Sequence, residues 1–244
     1  MEIAMSLRSK FNIWLGAVLA IGVAVAGITV HGVLHRSARD HAVETANLLM
    51  AVAEATRAYT TTYIKPQLDQ RLDIEFLPQT VPAFAATETI MALRKQFPEY
   101  TYKEATLNPT NPRDRTSDWE ADLVNTFRAD WARSQIVDER IQGRIPVLYV
   151  ARPIKITSPG CLACHSTPSA APASMIRLYG EANGFGWKQD EIIGAQIVTV
   201  PLSTFDETAT RIFSLVMGML VMVALLALGV GNLLIGRSSA GKAN

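Results

Sequence analysis

The sequence predicts an α+β protein: an antiparallel sheet with packed helices, a long N-terminal helix, and two helices that cross a membrane. Three observations carry this reading. First, Phe11 to Leu34 and Ile212 to Ile235 contain no Asp, Glu, Lys or Arg. Each run is longer than the roughly 20 residues a helix needs to span a bilayer core. Second, Ala46, Leu49, Met50, Ala53, Thr56, Arg57, Thr60 and Tyr63 recur at helical steps, with no Gly or Pro before Pro66. Third, "GRIPVLYVARPIKI" and "EIIGAQIVTVPL" are short and β-branched, as strands are.

Taken in order, residues 1–36 form a cytoplasmic N-terminus and the first span. A short basic start and the small residues Ala24 to Ala26 resemble a signal peptide, but the apolar run continues beyond them, so the segment reads as an uncleaved anchor. The first span continues outward as a helix with one mostly apolar stripe that ends just before Pro66. A stiff, proline-containing loop follows, and Thr87 or Glu88 starts a helix running to about Gln96. "TLNPTNPRDRTSDW" is loop by composition. Ser117, with Glu120 three residues on, caps a helix carrying Trp119, Leu123 and Phe127. Asp118, Glu120 and Asp122 read as first-turn charges on an exposed face.

The first strand is broken or edged at Pro146 and Pro153. The second places Ile193, Ala195, Ile197 and Thr199 on one side. Residues 37–208 thus form the central domain, 209–236 the second span and 237–244 a short cytoplasmic tail. Helices followed by paired strands belong to the α+β class.

The chain holds 244 residues with a net charge of +1, and this balance gives no basic patch for nucleic acid. Its two cysteines fall together in "CLACHS", as Cys161 and Cys164 beside His165. Four chemistries use such a motif. A disulfide is one. A redox dithiol is another, but those usually sit at a helix start in a βαβ unit, and here "TSPG" before the motif and "STPSAAP" after it read as loop. Zinc needs four ligands, and His31, His35 and His41 cluster at the membrane end of the first helix, making a poor second half. Covalent c-type haem uses every position: two thiols two residues apart add to the two vinyl groups, and the adjacent histidine falls on the iron axis. The reading is one haem c, with His165 as the proximal iron ligand.

For the sixth position, Met50 comes first, from the apolar stripe. His41, Met175, Tyr59, Tyr63 and water are the alternatives, each also readable as ordinary core or helix surface. Arg152 and Lys155 flank the motif as propionate partners or as solvated strand positions. Tyr179, Phe185 and Trp187 wall a haem or pack a core. No acid–base pair, nucleophile triad or phosphate loop marks an enzyme. Haem c is attached outside the bacterial inner membrane, which makes the central domain periplasmic.

Seven separated stretches, "FLPQTVPAFAA", "YKEATLNPTNPRD", "DWEADLV", "LYVARPI", "CLACHSTPSAAP", "YGEANGFGW" and "GAQIVTVPL", resemble the Tll0287-like haem domain family in order. The resemblance implies a PAS-like fold with covalent haem c between two transmembrane helices. It also implies a redox or gas sensor, because in that family the domain often precedes a signalling module. Here only "GRSSAGKAN" follows Ile235, so the expectation is electron transfer, alone or beside another membrane protein or redox complex. A sensor working through a separate output partner is the alternative.

Overall fold

The computed structural model describes residues 7–72 and 74–240. They divide into two compact units, one built from the two chain ends and the other from His41–Ser203.

In the first unit lie the N-terminal part of α1 (Leu7–Tyr59) and most of α7 (Ser203–Ala240). Two helices are long and apolar enough to cross a membrane, with mean hydropathy 2.3 and 2.6. They are stitched together by a hydrogen bond from Asn12 Nδ2 to Asn232 Oδ1, 2.7 Å long. Small residues admit close approach. A Cβ on Gly27 would lie 3.1 Å from Met217 Cε, and one on Gly231 would lie 3.5 Å from Phe11.

The His41–Ser203 unit is built on a four-stranded antiparallel sheet. Its strands are β1 (Thr101–Thr106), β2 (Ile136–Gln142), β3 (Ile145–Lys155) and β4 (Ile192–Pro201), in the order β1-β4-β3-β2. β4 is buried along its whole length, which explains its near-continuous apolar sequence. On one face, Leu123, Val124 and Phe127 of α4 (Asp118–Ala129) pack on Ala105, Tyr149, Ala151, Ala195 and Ile197.

The other face carries Tyr102 and Glu104 of β1, Gln196 of β4 and Arg152 of β3. Glu104, Gln196 and Arg152 stand in one register row. α1 lies over this row. Arg152 donates to Glu54 Oε1 at 2.8 Å and to Asn47 Oδ1 at 3.1 Å, and Arg57 pairs with Glu104.

Several expectations are corrected. The helix does not stop before Pro66. It widens into a π turn, Thr60–Ile64, and resumes as α2 (Lys65–Leu68). Proline has no N–H for the carbonyl four residues back, and its ring crowds that carbonyl. The π turn meets this by bonding Lys65 N–H to Thr60 O, five residues back.

The next helix, α3 (Pro82–Leu93), starts earlier than Thr87 because Pro82 suits a first helical position. Glu120 is not exposed. It is 6% accessible, caps Ser117 N–H at 2.7 Å and pairs with Lys103 at 2.7 Å. Pro146 and Pro153 do lie where only one neighbour pairs with β3. β4 pairing begins at Val147, and β2 pairing ends at Ala151.

Candidate functional site

The segment around the cysteines is not all loop. Ser158 accepts from Gly160 N–H at 3.2 Å, Pro159 takes a first-turn position, and α5 runs Pro159–His165. A short helix, α6 (Ala173–Tyr179), follows. One helical turn places residues three apart on one face, so Cys161 and Cys164 share a side and His165 lies at the helix end. Both thiols are free and half-buried.

The cysteines do open a short helix, as a redox dithiol would, but the sheet beside it is antiparallel and holds no βαβ unit. Burial pushes the Cys164 thiol above its ordinary value, with Lys65 opposing.

His165 is held from three sides. Its Nδ1 lies 2.7 Å from Gly184 O and 3.4 Å from Thr110 Oγ1. A carbonyl only accepts, so Nδ1 carries the proton and the Nε2 lone pair is left for a metal. Trp187 stacks on the ring at 4.0 Å between centroids and 18° between planes. Burial lowers the His165 pKa, with the Gly184 hydrogen bond opposing, so the imidazole is neutral near pH 7.

The Gly184 loop is itself clamped. Asn108 Oδ1 accepts from Gly184 N–H and Asn108 Nδ2 donates to Phe185 O, both at 3.2 Å. Gly186 N–H and Trp187 N–H return to Ser166 O and His165 O at 3.0 and 3.2 Å. Gly184 has φ +84°, and a Cβ there would lie 2.0 Å from Thr110 Oγ1. Only glycine fits.

α1 approaches the motif through charge. Arg57 of α1 lies within electrostatic range of Cys161, and Lys65 and Asp69, just beyond α1, lie within range of Cys164. Burial opposes the Arg57 charge, but Glu104 more than offsets this and the guanidinium is held above its ordinary value. Tyr102 donates to Glu104 at 2.7 Å and accepts from Gln196 at 3.2 Å. Burial, then Glu104, pushes the Tyr102 hydroxyl upward. This buried network fixes the α1–sheet contact beside the motif. In the sequence, Tyr102, Glu104 and Thr106 alternate as one strand face would, and Arg57 falls on the helical stripe. Their partnership crosses 47 residues.

The other candidates fall as follows. Met50 is wholly buried on the sheet-facing side of α1, seven residues before Arg57 and about 10 Å along the axis from it. Met175 is 2% accessible, in α6. His41 is exposed and lies 3.5 Å from Glu44. Tyr59 and Tyr63 are exposed and lean on each other.

The Arg152 guanidinium is taken up by Glu54, Asn47 and Gln135, so it braces α1 on the sheet. Lys155 lies 3.3 Å from Asp190 and over Trp131. Tyr179 is half-buried, edge-on to Phe76. Trp187 is thus brought to the motif by its side chain, while the Phe185 carbonyl accepts from Asn108 in the clamped loop. Asn108, Thr110 and Gly184 were not singled out in the sequence.

Among solved structures, the chain is similar to the crystal structure of the cyanobacterial heme-protein Tll0287, at 15% identity and a TM-score of 0.51. The match covers 65% of this chain and 94% of that one, and at this identity it shows the fold. No curated protein matches the chain. Residues 35–201, which contain the sheet, the cysteine pair and the clamped histidine, match the family model, and the chain belongs to the Tll0287-like family.

Proposed function

We propose that this chain is a membrane-anchored monohaem c-type cytochrome. Haem is attached through Cys161 and Cys164 and ligated by His165. Its role is electron transfer on the periplasmic side of a bacterial inner membrane, alone or as an accessory subunit of a membrane redox complex. The observation that carries this reading is the His165 Nδ1 contact with Gly184 O at 2.7 Å, in a CxxCH motif folded as one helical turn.

The residues present fit the group. Two sulfurs on one face suit two vinyl additions, and a neutral imidazole with its far nitrogen fixed leaves Nε2 as the ligating atom. The haem of the solved family structure supports the same reading. A bound haem supplies a one-electron iron couple.

The chain's own part is orientation. Gly184 O sets the tautomer and ring angle, Trp187 covers one imidazole face and blocks its rotation, and Asn108 holds the carbonyl in place. A ring clamped in this way changes little between oxidation states, which suits electron transfer. The two apolar helices support anchoring, and attachment outside the inner membrane supports a periplasmic domain.

The test is purification in mild detergent followed by optical spectra, oxidised and reduced, with and without carbon monoxide. A haem c spectrum, reduced by the substrate of a co-purifying redox complex, is the expected result. One observation favours a second reading: α1 runs unbroken from Leu7 through Arg57, which pairs with Glu104 on the sheet, and so offers a helical route for a haem-based signal. Co-purification with a kinase or chemoreceptor whose activity follows the haem state would establish that alternative.

A further inference from the structure

In the His41–Ser203 unit, α1 is apolar on two opposite faces. The inner face buries Leu49, Met50 and Ala53. The outer face leaves Leu48, Val52 and Tyr59 exposed at 63%, 40% and 57%. A helix face that is apolar is ordinarily a buried face, and among the described residues of this unit none buries the outer side.

Charge follows the same division. Between Thr45 and Ile64 the charged residues are Glu54 and Arg57. Arg57 turns inward to Glu104, and Glu54, exposed on the flank of the helix, pairs with Arg152 rather than facing outward with the seam. The outer face is therefore uncharged over more than four turns.

Leu48, Val52, Ala55 and Tyr59 are spaced by four, three and four residues, the step pattern of a two-helix seam. At about 100° per residue they fall within about 60° of one another, on the side opposite Arg57. Arg57 pairs with Glu104 of β1, so the seam points away from the sheet. The exposed Ala51 and Ala58 beside the seam let a second backbone come close.

We infer that this face of α1 is a contact between two copies of the chain, with the two helices parallel across a two-fold axis. An uncharged seam at this spacing complements itself when paired in register, whereas a charged partner finds no counter-charge on it. Area sharpens the choice. From Leu48 to Tyr59 the seam is about 18 Å long on a helix about 10 Å wide. That is about two hundred square ångströms, short of the roughly 800 Å² per partner of a stable free interface. Pairing therefore needs co-localisation. Here the inference rests on the membrane anchoring proposed above: two chains held in one bilayer meet at high effective concentration, with α1 leaving both first spans in the same direction.

The test uses the full chain in its native membrane. Val52→Cys and Ala55→Cys are oxidised and run on non-reducing gels beside Gln142→Cys, an exposed position on β2, and the parent chain. The expected result is a dimer of this chain several-fold stronger at positions 52 and 55 than in either control. Adding Val52→Glu to Ala55→Cys is expected to return the band to background, and Val52→Ile to keep it. A band at position 55 no stronger than at Gln142, a cross-link to a product of another mass, or a dimer indifferent to Val52→Glu would overturn the inference. Alkaline carbonate extraction keeps the two readings separate. A chain that stays in the membrane pellet without cross-linking refutes the dimer alone. A chain that is extracted yet cross-links at positions 52 and 55 refutes anchoring, and with it the need for co-localisation, while the dimer contact stands.

Discussion

Gly184→Ala tests the histidine clamp where its geometry is tightest. Two effects add. Alanine at φ +84° sits in the left-handed region, at a cost of about 1–2 kcal/mol. Its Cβ would also lie 2.9 Å from Thr110 Cα, against the 3.4 Å at which ordinary contact begins. The Thr110 hydroxyl can rotate away, but backbone cannot, so the two segments must part by about half an ångström. That stretches the contact with His165 Nδ1, with a loss of about 1 kcal/mol. The total is about 2–3 kcal/mol. Gly186→Ala is the internal control, because Gly186 has φ +81° but nothing within 4 Å of a Cβ. It is expected to lose only the conformational part. The assay is urea unfolding of the chain in mild detergent by tryptophan fluorescence, compared at constant m-value. Equal losses for the two variants, or a Gly184→Ala loss under about 0.5 kcal/mol, would refute the close-approach reasoning.

Asn108→Ala removes both hydrogen bonds that hold the Gly184–Phe185 peptide, and faster amide exchange from Gly184 to Trp187 is expected, while unchanged exchange would deny Asn108 its clamping role. Phe127→Ala empties a wholly buried position between α4 and the sheet and is expected to lose about 3–5 kcal/mol in the same unfolding assay, with a loss below about 1 kcal/mol contradicting the packing. Burial raises the Asp114 carboxyl to about 6 from 3.8, with Arg113 opposing. The folded state therefore holds the extra proton between those two values, and stability falls as pH rises through that window. Asp114→Asn is accordingly expected to stabilise the chain at pH 7 relative to pH 4, by at most about 3 kcal/mol for a shift of this size, and an equal effect at both pH values would contradict the shift.

What was legible in the sequence follows from how local each signal is. Charge-free runs, the α1 stripe and the Ser117–Glu120 box are set by neighbours within a few residues, and all three appear in the structure. β3 and β4 were readable because both are apolar and β-branched. β1 and β2 were not, because "TYKEAT" and "IVDERIQ" carry charges that pairing and cross-sheet partners absorb. Lys103 goes to Glu120, and Glu104 to Arg57. The continuation past Pro66 was hidden because a π turn has no sequence mark of its own. The motif Cys161, Cys164 and His165 was legible from spacing alone. Its supports were not, since Gly184 and Thr110 reach His165 from 19 and 55 residues away, and Asn108 reaches Gly184 from 76, in pairings that only the fold creates.

The central claim is that the cysteine pair carries haem covalently. The direct measurement is the intact mass of the chain, made in cells that mature c-type cytochromes, alongside a haem-peroxidase stain on a denaturing gel. The account expects the mass of one haem added to the chain and a stained band, both lost in the Cys161→Ala/Cys164→Ala double variant. A chain of unmodified mass with no stain, or a double variant that still holds covalent haem, would contradict it.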